Sequence, residues 1–223
     1  MHTNEKLNLI YCYDAYCSWC YGLGSVMKEV ATNFKDILQI EVLSGGMLLP
    51  ESPQPISVIA APIAKGYKRV EEMTGVKFGA DFLWHVEDPE QSDWFPNSLK
   101  PAIALSIIKD IMPEQSLNFA NDLQISLFNE GRDLTDDEAY RHLLEKYQIE
   151  PSLFYKALHS EEYEEKARYD FALIKQLGLT SFPIVLLQEN ESKFHLMAKG
   201  YTDYNTLEKR IKGALNEIKN KGN

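Results

Sequence analysis

The chain has 223 residues, 44% of them hydrophobic, which is enough to bury a core in one domain and to carry a substantial insertion. Thirty-three acidic against 23 basic side chains give a net charge of −10, which disfavours nucleic acid and anionic lipid surfaces as partners. No apolar run approaches the roughly 18 residues of a membrane span. The start Met1-His2-Thr3-Asn4-Glu5-Lys6 lacks the basic run of an export signal, so the expected setting is the cytoplasm.

In chain order, Leu7 to Tyr13 reads as a short strand, about Trp19 to Phe34 as a helix, and Ile37 to Leu43 as a second strand closed by Ser44-Gly45-Gly46. These form a βαβ unit, whose two strands are expected to be parallel with a right-handed crossover. The middle of the chain is helical. Lys100 to Ile111, Ser116 to Phe128, Thr135 to Tyr147 and Pro151 to Leu158 carry apolar residues at steps of three and four, punctuated by Pro113, Gly131 and Pro151. Thr135-x-x-Glu138 has the pattern of a capping box. A further helix, about Glu161 to Leu177, opens on Glu161-Glu162 and Glu164-Glu165, which suit a solvated helix N-terminus, and ends at Gly178. Residues 79–97 are the least regular stretch. Their aromatics Trp84, Trp94 and Phe95 are expected to cap the helical bundle, with substrate contact as the rival reading. Ile184 to Gln188 and Phe194 to Ala198 flank a polar turn as a β-hairpin. Asp203 then caps a helix with Leu207, Ile211, Ala214, Leu215 and Ile218 on one face. The expected fold is α/β, a thioredoxin-like core (βαβ plus ββα) with a large inserted α-helical domain. Residues 1–48 and 168–223 form the core and 49–167 the insertion.

The chemistry sits at Cys17-Ser18-Trp19-Cys20, where the first strand gives way to the helix. Two thiols at this spacing can close into a disulfide within one helical turn, and the first faces the positive end of the helix. A free cysteine with a pKa near 8.5 is only a few per cent ionised at neutral pH, whereas helix-start C-x-x-C cysteines fall to about 3.5–7.5. Cys17 is therefore the expected nucleophile and Cys20 the thiol that resolves the mixed disulfide. Half of a zinc site is the main rival, but no second C-x-x-C exists, and His2, His85, His142, His159 and His195 are scattered. No metal and no cofactor is expected. Three cysteines without an export signal also argue against a purely structural disulfide. Cys12, between Tyr11 and Tyr13 in mid-strand, reads as core packing.

A second motif is Ser181-Phe182-Pro183, immediately before the first strand of the hairpin. With both motifs in place, the chain resembles the DsbA-like branch of the thioredoxin superfamily, in particular its predicted protein-disulfide isomerases and the FrnE-like proteins. The resemblance spans the whole length and rests on Asp14-x-x-Cys17-Ser18-Trp19-Cys20-Tyr21-Gly22, on Pro96-Asn97-Ser98 and on Ser181-Phe182-Pro183. Ala15 departs from it, since many relatives carry proline after the aspartate. The resemblance implies a cis bond before Pro183, Cys17 and Cys20 as the catalytic pair, and Trp19, Phe182 and Pro183 as substrate-binding residues. Asp14 is a candidate for proton handling or for a hydrogen bond to the loop.

The function so implied is thiol–disulfide oxidoreductase or protein disulfide isomerase, acting through a Cys17 mixed disulfide on protein or small-thiol disulfides, with glutathione among the candidate partners. A kappa-type glutathione-dependent transferase or isomerase is one alternative, although such proteins usually carry a serine or a single thiol at the reactive position. A non-catalytic, redox-sensing adaptor is the other.

Overall fold

In the computed structural model, which describes residues 6–221, strands β1 (Leu7–Tyr13) and β2 (Leu38–Ser44) run parallel around helix α1 (Ser18–Asn33). Strands β3 (Ile184–Asn190) and β4 (Lys193–Lys199) form an antiparallel hairpin followed by helix α9 (Tyr204–Lys221). The described residues give one mixed sheet in the order β2-β1-β3-β4, so the two halves of the core meet at the β1/β3 pair. There Cys12 stands opposite Ile184 and Leu9 opposite Leu187. The N-terminal residues 1–5, His2 among them, lie outside the described residues.

Alternation along β1 divides the core into two layers, because successive strand side chains point to opposite faces. Leu9, Tyr11 and Tyr13 join Leu23, Met27 and Val30 of α1 and Leu207 and Ile211 of α9 in the main cluster. Ile10 and Cys12 face the other way, into a smaller cluster with Leu43, Ile184 and Leu186. Ile174 closes that cluster from helix α8 (Glu161–Gln176). Each fully buried Leu, Met or Val here contributes about 1.5–3 kcal/mol of transfer free energy.

The segment between β2 and β3 is helical, as its periodicity predicts. Helices α4 (Leu99–Ile111), α5 (Ser116–Phe128) and α7 (Pro151–Leu158) match the expected ranges closely. Ser160 caps α8 through the amide of Tyr163, and the acidic first turn of that helix lies at the surface.

Two expectations need correction. Thr135 to Tyr147 is not one capped helix, since a 3-10 turn over Asp137–Tyr140 precedes helix α6 (Arg141–Tyr147). The capping box is not made. Asp133 accepts from both the amide and the hydroxyl of Thr135, Asp136 accepts from the Glu138 amide, and the Glu138 carboxylate pairs with Arg141. Residues 57–87, in contrast, hold two helices where the sequence pattern defines no element, α2 (Ser57–Thr74) and α3 (Ala80–Glu87). Helix α2 contains Pro62 on its exposed side, and it fully buries only Ala60 and Val70, a stripe too sparse to read as a period. Trp94 is buried, lies near Phe82 and stacks on His85, so it belongs to the bundle, whereas Trp84 and Phe95 remain exposed.

Two glycines of α1 set how closely the insertion packs on the core. A Cβ on Gly24 would lie 2.0 Å from Asn121 Oδ1 of α5, and one on Gly22 would lie 2.6 Å from Thr74 Cγ2 of α2. Tyr21 completes the contact by stacking on Phe128, with its hydroxyl donating to the Lys77 carbonyl.

Candidate active site

The turn Asp14-Ala15-Tyr16-Cys17 links β1 to α1 and is closed by the Cys17 amide, which donates to the Asp14 carbonyl at 3.1 Å. Cys17 is the N-cap of α1, with extended backbone (φ −87, ψ 106). That geometry leaves the first amides of the helix without intrahelical acceptors and aims them at the cap side chain. The Cys20 amide accordingly donates to Cys17 Sγ at 3.2 Å and, in a shared bond, to the Cys17 carbonyl at 3.0 Å. Negative charge on Sγ would meet this N–H and the positive end of the helix.

The two thiols have different surroundings. Cys17 keeps 5% of its surface exposed, whereas Cys20 has none. Burial pushes the Cys20 thiol well above its ordinary pKa, and the neighbouring Cys17 sulfur and the Asp14 carboxylate push in the same direction. The Tyr11 hydroxyl donates to the Cys20 carbonyl at 3.1 Å and so ties the first turn of α1 to the strand beneath it. Cys12, on the opposite face of β1, is fully buried in the smaller cluster, and burial raises its pKa to about 12. All three cysteines are free thiols. Among the described residues no group of three or more His, Cys, Asp or Glu side chains is arranged to hold a metal ion.

Asp14 is 1% exposed and is a hub of hydrogen bonds. Its Oδ1 accepts from the Tyr16 amide at 3.0 Å and the Ser98 hydroxyl at 2.9 Å, and its Oδ2 accepts from the Met47 amide at 2.7 Å. Burial raises its pKa, and these donors partly offset the rise. Ser98 also exchanges bonds with Leu48, accepting from its amide through Oγ and donating its own amide to its carbonyl. The Pro96-Asn97-Ser98 motif is thereby joined to the turn before the dithiol. Met47 and Leu48, with Leu49, Pro55, Val58 and Pro96, line a largely apolar cleft of about 290 Å³ on the outer side of this hub.

The Phe182–Pro183 bond is cis. Extending the β1/β3 register by one step sets Pro183 beside Tyr13, next to the turn that carries Cys17. Phe182 is half-buried over Gly45, where an added Cβ would lie 2.3 Å from the ring, and Gly200 donates to the Pro183 carbonyl at 2.8 Å. Trp19, in the first turn of α1, is partly buried against the main core cluster. Asp14, Cys17, Cys20 and Trp19 thus form one local group, and the β1/β3 pairing brings the Phe182-Pro183 loop to it from the far end of the chain.

One residue at this site has no signature in the sequence. Gln124 of α5 is fully buried, and its Nε2 donates to the carbonyls of Asp14 at 3.0 Å and Cys17 at 3.1 Å. Asn121, Asp122 and Ser126 are likewise buried polar residues of α5, so a polar residue among Ala120, Leu123, Leu127 and Phe128 does not single out Gln124.

Known structures share this architecture. A candidate protein disulfide isomerase from Nitrosomonas europaea superimposes with a TM-score of 0.81, covering 96% of this chain and 99% of that one at 20% identity. The cytosolic disulfide reductase DsbM from Pseudomonas aeruginosa gives 0.76, over 94% and 98% of the two chains, also at 20% identity. A second DsbM structure contains GSH and gives 0.74. At these identities the likeness establishes a common fold. Among curated sequences, the ClpXP adapter protein SpxH of Bacillus subtilis is 16% identical over 182 residues, and the match spans 82% of this chain but only 58% of the adapter. The family description DSBA-like thioredoxin domain matches residues 9–212, nearly the whole chain, and with the C-x-x-C pair at the head of α1 this shows that the protein belongs to the DSBA-like thioredoxin domain family.

Proposed function

We propose that the protein is a thiol–disulfide oxidoreductase whose nucleophile is Cys17 and whose resolving thiol is Cys20. The observation that carries this reading is the asymmetry of the pair. One sulfur caps a helix, receives an amide hydrogen bond and keeps some exposure, while the other is sealed behind it with its thiol held protonated.

The Cys17 thiolate attacks one sulfur of a substrate disulfide, forming a Cys17–substrate disulfide and expelling the other substrate sulfur as a thiolate that takes up a proton. The mixed disulfide removes the charge from Cys17, which is one of the causes that hold Cys20 protonated. Cys20 then attacks Cys17 Sγ as its proton passes to the departing second substrate sulfur, so the Cys17–Cys20 disulfide forms and the substrate leaves as a thiol. The substrate gains two electrons and the dithiol loses two. Two equivalents of a small thiol restore the dithiol by the same exchange in reverse.

A glutathione-class thiol suits that restoring step, a reading supported by the fold shared with DsbM, which has been solved with GSH. The same likeness to a cytosolic reductase favours reduction or isomerisation in the cytoplasm, where glutathione keeps dithiols reduced. We assign Trp19, Phe182 and Pro183 to the substrate-contacting wall, with the apolar Met47–Pro96 cleft beside it for substrate side chains. Asp14 acts in this scheme chiefly by holding the turn, since both carboxylate oxygens are engaged. The match to SpxH favours one second reading, in which the same surface presents an adaptor and the dithiol reports redox state.

Cys17→Ser and Cys20→Ser variants incubated with glutathione disulfide or a model protein disulfide test the assignment. Cys17→Ser is expected to lose exchange entirely, and Cys20→Ser to accumulate a mixed disulfide on Cys17, read by intact mass. A wild-type protein that forms the mixed disulfide without turning over substrate would favour the adaptor.

A further inference from the structure

Gln124 lies in the inserted helical segment, 107 residues along the chain from Cys17, yet its side chain hydrogen-bonds the backbone of the reactive turn. Both hydrogens of its amide are committed to carbonyls of that turn, at 3.0 Å to Asp14 and 3.1 Å to Cys17. Its Oε1 is buried without a hydrogen-bond partner. Leaving a buried acceptor unpaired is costly, and a methionine or leucine at this position would avoid the cost while filling the same space. Packing therefore does not account for a glutamine here, and the amide donors must.

The Cys17 carbonyl accepts from three donors, the amides of Cys20 and Tyr21 and the Gln124 side chain. A carbonyl oxygen has two lone pairs, so three donors compete for it. The Cys20 amide is the one with an alternative acceptor, the Cys17 sulfur. We infer that Gln124 is a positioning residue for the dithiol, which loads the Cys17 carbonyl and thereby frees the Cys20 N–H to serve the sulfur. The inserted helix α5 thus sets the reactivity of a thiol carried by the core. This rests on the assignment of Cys17 as the attacking thiol.

The test is the rate of Cys17 alkylation by limiting iodoacetamide between pH 5 and 10, read site by site by mass spectrometry. It compares the full wild-type chain with Gln124→Met, which keeps length without donors, and Gln124→Asn, which keeps the amide but shortens its reach. Loss of the equivalent of one net hydrogen bond is expected to slow alkylation of Gln124→Met by up to about fivefold at the acidic end of the range. At the alkaline end of the range the rates should converge. Gln124→Asn is expected to show the same pH pattern with a smaller deficit. Unchanged rates in both variants, a deficit of equal factor at every pH, or failure of both variants to fold would overturn the inference and leave Gln124 a structural residue. Should wild-type Cys17 alkylate readily while the protein turns over no disulfide, the oxidoreductase reading fails and the alkylation comparison still decides the role of Gln124.

Discussion

At the residue scale, the three cysteines differ through their surroundings rather than their chemistry. Cys12 and Cys20 are fully buried with thiols raised by burial, Cys12 to about 12, while Cys17 alone retains exposure and an amide donor at its sulfur. A limiting alkylating agent at neutral pH should therefore label Cys17 first in peptide mapping, with Cys20 and Cys12 following only on unfolding. Labelling of Cys20 ahead of Cys17 would reverse the assigned roles. Cys12→Ala should leave exchange activity intact and cost about 1 kcal/mol of stability by denaturant titration, the loss of one small buried group. The dithiol was legible in the sequence because four consecutive positions specify it. Its supports were not legible as supports: Met47, Ser98 and Gln124 reach the turn from 33, 84 and 110 residues beyond Asp14, and Pro96-Asn97-Ser98 read only as part of the family resemblance. No local pattern marks a polar residue for such a partner.

At the element scale, α1 is the piece on which core and insertion converge, and its glycines are what allow it. Gly24→Ala places a methyl group against Asn121 of α5, the helix that also carries Gln124. It should cost about 1–3 kcal/mol by chemical denaturation and slow exchange, because overpacking displaces the helix that holds the turn. The same change at Gly213 of α9, where nothing lies within 4 Å, should leave activity unaltered.

Helix α8 is fixed to the end of β2 by Asp170, which accepts from the Ser44 amide and from Lys109. Burial raises the Asp170 pKa against the opposing effect of these donors, so the folded chain binds this proton more tightly than the unfolded one. The resulting stability is complete below the unfolded value of about 3.9 and is lost as pH rises through the folded value. The margin of wild type over Asp170→Asn in thermal unfolding should therefore shrink from pH 3 upward, and a margin that widens with pH would contradict this. Strands and strongly periodic helices were readable in the sequence, while α2 and the Thr135 region were not. In the first, Pro62 and a sparse buried stripe hide the helix. In the second, Asp133 and Asp136 take the capping bonds that Thr135 and Glu138 seemed placed to make.

At the scale of the whole molecule, the sheet order brings two distant segments together, since pairing of β1 with β3 sets the Phe182-Pro183 loop beside the Cys17 turn across the entire helical insertion. That juxtaposition was predictable from topology, because a βαβ unit and a ββα unit that share one sheet must adjoin at their first strands. The contribution of the insertion to the site was not predictable, since it arises from tertiary packing of α5 on α1. The central claim is that Cys17 and Cys20 form one two-electron couple, and equilibration in glutathione buffers of graded potential tests it most directly. With all thiols trapped by alkylation and read by mass, the account predicts a single transition between about −270 and −120 mV in which Cys17 and Cys20 oxidise together while Cys12 stays a thiol throughout. Oxidation of Cys17 without Cys20, or a disulfide that includes Cys12, would contradict it.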